Sequence, residues 1–215
     1  MKRNGGNYMN KKAMYKLSYG LFVLTANRAG KDNGCVVNTA IQVTSEPNVI
    51  SIAVNKANLT HDMIMDTRKL TVSILSEAAS FDIFKRFGFQ SGRDVDKFEG
   101  YTHMKRGAND LYYVTEGTNA YISAYVKETV DLGTHTLFIA QVTDMEVLSD
   151  EASATYEYYQ KNIKPQPEAV RKTESGETVW RCTVCGYEYV GEELPDDFIC
   201  PICKHPASDF EKVSK

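Results

Sequence analysis

Four of the five cysteines in this 215-residue chain, Cys182, Cys185, Cys200 and Cys203, form two CxxC pairs separated by fourteen residues. A CxxC turn aims two thiolates at one point while its backbone N–H groups face the sulfurs, and two such turns close a tetrahedral site. In a reducing compartment such close pairs are metal ligands rather than disulfides. Four thiolates suit iron and zinc alike, so the ligand set alone leaves the metal open. Iron there would move single electrons; zinc would hold structure. The fifth, Cys35, sits in the apolar run GCVVNTAIQV and reads as a small buried hydrophobe.

A second constellation lies in the first third of the chain. After an apolar run ending at Val54 comes NKANLTHDMI, in which Lys56 precedes a helix expected to open at Thr60. A helix N-terminus with a hydroxyl cap and a nearby lysine is suited to a phosphate. The chain has no GxGxxG, no GxxxxGK[ST] and no HExxH, so a Rossmann dinucleotide fold, a nucleoside triphosphatase and a zincin are unsupported. The run GRDVDKF, with Arg93, Asp94, Asp96 and Lys97, is compatible with a solvated loop and is given no role.

Elements that could position these groups follow from short apolar runs rich in β-branched and aromatic residues. They are Gly20 to Asn27, Cys35 to Val43, Val49 to Val54, Leu70 to Leu75, Leu111 to Thr115, Ala120 to Val130 and Thr136 to Val147. Turn-forming clusters (AGKDNG, SEPN, GAND, EGTN) separate them, which predicts a mainly β fold, an antiparallel barrel with few helices. Helical spacing occurs at Thr60 to Arg68, Ser80 to Phe87 and Ala152 to Asn162. Residues 164–178 hold two prolines and no aliphatic cluster, and read as a linker spanning on the order of 20 Å if unstructured. The expected organisation is a main domain over 9–163, the linker, and a small metal domain over 179–215.

The charge is uneven. Residues 179–215 hold seven acids and four bases, whereas the remaining 21 acids and 21 bases cancel. The whole net charge of −3 therefore sits on the small C-terminal piece, where thiolates around a metal would add to it. This argues against nucleic acid and suits docking on a positive protein face. No run is long and apolar enough for a membrane helix, and MKRNGGNYMNKK lacks the features of a secretory signal, so a cytoplasmic protein without membrane contact is expected.

The C-terminal segment resembles the rubredoxin family, in particular the short form fused to other redox domains. The likeness rests on Trp180 two residues before the first ligand, Cys185-Gly186-Tyr187, PDDF (Pro195 to Phe198), Pro201 and Phe210. It departs from the family in a shorter loop between the CxxC turns and in Lys204, where glycine is usual. That resemblance implies one iron held by the four cysteines; a structural zinc ribbon is the alternative. Residues 13–150 resemble the flavin-reductase-like family of FMN-binding split β-barrels through the order YGLFVLTA, NGCVVNTAIQVTSEPNVISIAVNKANLTHDMI, LTVSIL, FGFQSGRDVDKF and DLGTHTLFIAQV. This second resemblance implies FMN at the interface of a homodimer. Asn38, Thr39, Ala40, Gln42, Val43, Thr44 and Ser45 would lie along the isoalloxazine and ribityl chain. Asn55, Lys56, Asn58, Thr60 and His61 would approach the phosphate, and His135 the flavin or the nicotinamide. The fusion resembles the high-molecular-weight rubredoxins of anaerobic bacteria. What it implies is passage of electrons from NADH or NADPH through FMN to Fe(Cys)4, then to an acceptor such as a flavodiiron protein reducing nitric oxide or dioxygen. A flavin reductase or flavin-binding module with a zinc ribbon is the alternative.

Residues 1–8 match nothing in the barrel resemblance. Gly5-Gly6 can be encoded as GGAGG, a ribosome-binding sequence, at a suitable spacing before the codon of Met9. The native protein is expected to begin at Met9, with residues 1–8 contributing nothing to fold or flavin binding. Intact-mass measurement on protein from its own cells checks this, and recovery of Met1 or Lys2 as the terminus refutes it.

Overall fold

The computed structural model describes residues 10–165, 178–183, 186–201 and 206–213. Cys185, Cys203, most of the linker and residues 1–9 lie outside the described residues. Seven antiparallel strands form the main sheet: β1 (Phe22–Arg28), β2 (Lys31–Val37), β3 (Ile41–Ser45), β4 (Asn48–Asn55), β5 (Lys69–Leu75), β8 (Thr118–Asp131) and β9 (His135–Val147). Their order is β2-β1-β5-β8-β9-β4-β3. A hairpin of β6 (Met104–Arg106) and β7 (Tyr112–Val114) lies apart from it, and α1 (Leu59–Thr67) and α2 (Phe81–Gly88) are the two longer helices.

Alternation of side chains explains why this sheet curls. Phe22, Leu24 and Ala26 of β1 share one buried cluster with Cys35 and Val37 near one edge, Ile50, Ile52 and Val54 near the other, and Leu59, Met63 and Ile64 of α1. Residues from opposite ends of the sheet can share one core only if the sheet rolls around it. The odd residues of β1 face outward, where Val23 joins a second cluster with Ile83, Phe84 and Phe87 of α2 and with Phe98, Tyr101 and Tyr159. β1 is therefore buried on both faces. Cys35 is a core residue, and burial raises its thiol pKa.

Three element readings need correction. The continuous run Cys35 to Val43 is two strands, broken at 38–40, because the chain crosses there from one edge of the sheet to the other. The third helical segment begins only at Tyr156, since Ala152 to Ala154 are extended: Ala154 N–H donates to Leu75 O and Glu77 N–H to Ala152 O, both at 2.8 Å. GRDVDKF is solvated only in part: Arg93 to Asp96 are exposed, whereas Lys97 and Phe98 are buried. Lys97 is 3% exposed, and its ammonium donates to Gly34 O at 2.8 Å and Phe87 O at 2.9 Å. It thus joins β2 to the C-terminal end of α2, where a cation suits the helix dipole.

The C-terminal piece forms a three-stranded sheet, β11-β10-β12, from β10 (Val179–Cys182), β11 (Glu188–Val190) and β12 (Phe210–Lys212). Phe198 is the centre of its core, with ring centroids 4.8 Å from Tyr189 and 5.4 Å from Phe210.

Lys97→Met keeps the length of the side chain and leaves two buried carbonyls without their donor. Urea unfolding should show a loss of about 2 kcal/mol; an unchanged midpoint would mean that the ammonium holds nothing together.

Candidate functional site

The crossing at 38–40 is held by one side chain. Thr39 Oγ1 donates to Ala53 O at 2.7 Å and accepts from Ala53 N–H at 3.2 Å, so its hydroxyl takes the place of a neighbouring strand on β4. Two residues further along β4, about 7 Å at strand rise, is Asn55, whose side chain accepts from Ala57 N–H at 2.9 Å and shapes the turn into α1. Asn55 pairs with His135 at the start of β9, and Lys56 N–H donates to Thr134 O at 3.0 Å. Three separate segments, 38–40, 55–58 and 131–135, are thereby joined at β4.

Most of the sequence-derived site residues are on or beside this margin. Asn38 and Thr39 are half-buried and line a cleft of about 760 Å³ together with Met14, Lys16, Leu17 and Tyr156. Ala40 and Gln42 instead line an apolar groove of about 330 Å³ floored by Phe22, Ile50, Val72 and Ile122. The segment 38–42 thus divides two hollows rather than lining one. Val43, Thr44 and Ser45 are exposed on β3, where Thr44 Oγ1 donates to Pro47 O at 2.6 Å.

The helix entry differs from the sequence expectation. α1 opens at Leu59 with Asn58 as N-cap, and the Asn58 side chain makes no capping bond. Thr60 does not cap: it is fully buried, and its hydroxyl accepts from Asn33 Nδ2 at 2.9 Å. His61 is turned inward as well. It is 7% exposed, with Nδ1 3.0 Å from Asp62 Oδ1 and Nε2 2.8 Å from Thr136 Oγ1. Both turn inward because the first turn of α1 faces the core it shares with β1 and β4. Lys56 and Asn55 remain on the open side; Lys56 Nζ is 2.7 Å from Asp131 Oδ1. His135 is half-buried, its Nδ1 2.9 Å from Thr134 Oγ1.

Sequence reasoning missed Asp62, Arg93 and Asp131. Arg93 donates to Asp62 Oδ2 at 2.7 Å, and this guanidinium and the His61 ring hold the Asp62 carboxyl below its usual range, the histidine having the larger effect. An ionised Asp62 can only accept, so His61 Nδ1 carries the proton and Nε2 faces the Thr136 hydroxyl. The chain Arg93–Asp62–His61–Thr136 ties α1 to β9 beside His135. Gly92, next to Arg93, lies closely against Asn33 of β2, where a Cβ would meet Asn33 Oδ1 at 2.1 Å. The adjacent residues His61-Asp62 and Arg93-Asp94 were the available signal, but they named no partners.

In the C-terminal piece, Cys182 and Cys200 are buried, and Cys182 N–H donates to Tyr187 O at 2.8 Å while Gly186 N–H donates to Cys182 O at 2.9 Å. Gly186 has φ of +78°, which glycine adopts freely, so the chain turns back directly after the first CxxC. Two sulfur donors buried against an aromatic core fit a tetrathiolate site; the positions of Cys185 and Cys203 are outside the described residues.

The curled antiparallel sheet and the cysteine-bearing three-stranded sheet define an oxidoreductase in which a flavin-reductase-type fold is joined to a rubredoxin-like module. Residues 14–166 match the flavin reductase like domain and residues 180–211 the rubrerythrin, rubredoxin-like domain. The chain belongs to the flavin reductase-like family. It is 35% identical to the high molecular weight rubredoxin of Moorella thermoacetica over 95% of this chain and all of that protein. It is 37% identical to a ferric-chelate reductase (NAD(P)H) of Archaeoglobus fulgidus over 70% of this chain and 89% of that one. In fold it is similar to the NADH:FAD oxidoreductase of Streptomyces globisporus C-1027, with a TM-score of 0.61 at 18% identity over 67% of this chain and 85% of that chain. Among the described residues no helix is long and apolar enough to cross a membrane.

Asp62→Asn tests the inward chain. Because the folded state holds the Asp62 pKa below its ordinary value, its contribution is present above the unfolded pKa and disappears as pH falls through the folded one. Wild type should exceed the variant by about 1 kcal/mol at neutral pH, Arg93 being half exposed. The difference should vanish in acid. A difference independent of pH, measured by urea midpoints, would contradict this account.

Proposed function

We propose that this protein takes electrons from NADH or NADPH on FMN held at the β4 margin and passes them singly to one iron at Cys182, Cys185, Cys200 and Cys203. The observation that carries this reading is the convergence of segments 38–40, 55–58 and 131–135 at β4, in a chain that also carries two CxxC turns. The three regions would be a flavin domain over 9–163, a linker over 164–178 and an iron domain over 179–215.

The flavin supplies two-electron acceptance and one-electron delivery; the chain's own residues bind and orient it. Asn38, Thr39 and Ala40 would bear on the ring system. Gln42 to Ser45 would follow the ribityl chain from the exposed strand, and Asn55, Lys56 and Asn58 would hold the phosphate. Lys56 provides charge there, and the uncapped N-terminus of α1 provides backbone donors. Thr60 and His61 would act from within, fixing the helix entry. His135, beside Asn55, would orient the nicotinamide. No acid, base or nucleophile is needed, so placement is the protein's main contribution.

The exposed apolar residues Ile41, Val43, Met145 and Val147 support a homodimer, since a strip of this kind is suited to cover by a second copy. The acidic C-terminal piece supports a redox partner with a positive face, and a flavodiiron protein is the acceptor class. The relatedness to a protein named as a high molecular weight rubredoxin supports iron over zinc.

Cys200→Ser should abolish the red ferric absorption and transfer to the acceptor while FMN stays bound and reducible by NADH, followed by stopped-flow at separate flavin and iron bands. Metal analysis of protein from native cells should give iron; stoichiometric zinc without iron would end the electron-transfer reading of the C-terminal piece.

A further inference from the structure

Lys56 is already paired in the structure. Its ammonium is 2.7 Å from Asp131 Oδ1, at the tip of the β8–β9 hairpin. The same carboxylate oxygen accepts from Gly133 N–H at 2.8 Å, in a turn where Gly133 has φ of +79°. The hairpin tip is further pinned by Lys56 N–H on Thr134 O and by Leu132 N–H on His135 O, at 3.0 and 2.9 Å. Asp131 therefore does not drift toward Lys56 by chance; the turn presents it. Both partners are open to solvent, with side-chain exposures of 37% and 72%, so this pair is weak and readily exchanged.

We propose that Asp131 competes with the flavin phosphate for Lys56 and thereby keeps the flavin exchangeable. The inference rests on the reading that Lys56 holds that phosphate. A dianionic phosphate offers the ammonium a stronger partner than one carboxylate, but it must displace Asp131 and then sit near its negative charge. The turn keeps the carboxylate close, so repulsion persists in the bound state. An arm held in this way is bound more loosely than Lys56 alone would hold it.

Asp131→Asn removes the charge while the amide oxygen can still accept from Gly133 N–H, so the turn survives. Titrating the flavin-free full-length chain by flavin fluorescence should give FMN binding about three- to tenfold tighter than wild type, with riboflavin unchanged. That gain should shrink as salt is raised. Lys56→Ala is measured in parallel, and it should weaken FMN selectively. If it does so while Asp131→Asn leaves FMN unchanged or weakens it, Asp131 presents Lys56 rather than competing for it, and the inference falls alone. Equal loss of FMN and riboflavin in Lys56→Ala would remove the phosphate from this site and overturn both readings.

Discussion

Rolling a sheet leaves a backbone problem at the seam where the chain crosses between its edges, and here one hydroxyl meets it. Where β2 ends and β3 has not begun, Ala53 has no neighbouring strand on that side, and Thr39 serves both its carbonyl and its N–H. A backbone pair left bare in a half-buried setting is costly. With the seam held, the chain can pass between the edges of the sheet, Asn38 is placed at the cleft, and β4 runs on to Asn55 and Lys56. The positions of the helix entry and of the β8–β9 hairpin tip both follow from where β4 ends.

Strands announced themselves where one face is apolar over six or more residues. Val49 to Val54 and Leu70 to Leu75 fall inside β4 and β5 with one residue to spare at most sides, and Thr136 to Val147 nearly coincides with β9. The seam was not legible, because the polar Asn38 and Thr39 inside GCVVNTAIQV are also tolerated within a strand, and the interruption is set by a tertiary contact with Ala53. β6 escaped notice because Met104 to Arg106 is three residues long and mostly exposed. The two cysteine pairs were visible as spacing alone, since local turn chemistry sets them.

At the site the outcome divides by the same rule. That Asn55 and Lys56 stay on the open side could be read from their position at the end of a strand. The inward turn of Thr60 and His61 could not, because whether a first-turn residue faces solvent or core depends on how the helix is rotated over the sheet. Lys97 was misjudged for the opposite reason. Charged residues in a polar run are usually solvated, and only the packing of α2 against β2 shows that this ammonium satisfies Gly34 O and Phe87 O.

The end of the main domain has a mechanical consequence. Tyr159 sits in the second cluster with its ring 4.3 Å from Phe84, Tyr156 N–H donates to Tyr19 O, and Ala154 N–H donates to Leu75 O. A load drawn along the chain beyond Lys164 first meets an aromatic plug seated on α2, and behind it the hydrogen bonds of Tyr156 and Ala154. β9, which with β4 carries the proposed flavin margin, lies behind these anchors, because residues 148–155 run from its end to the plug. The C-terminal piece can be tugged by a partner without the pull reaching the seam.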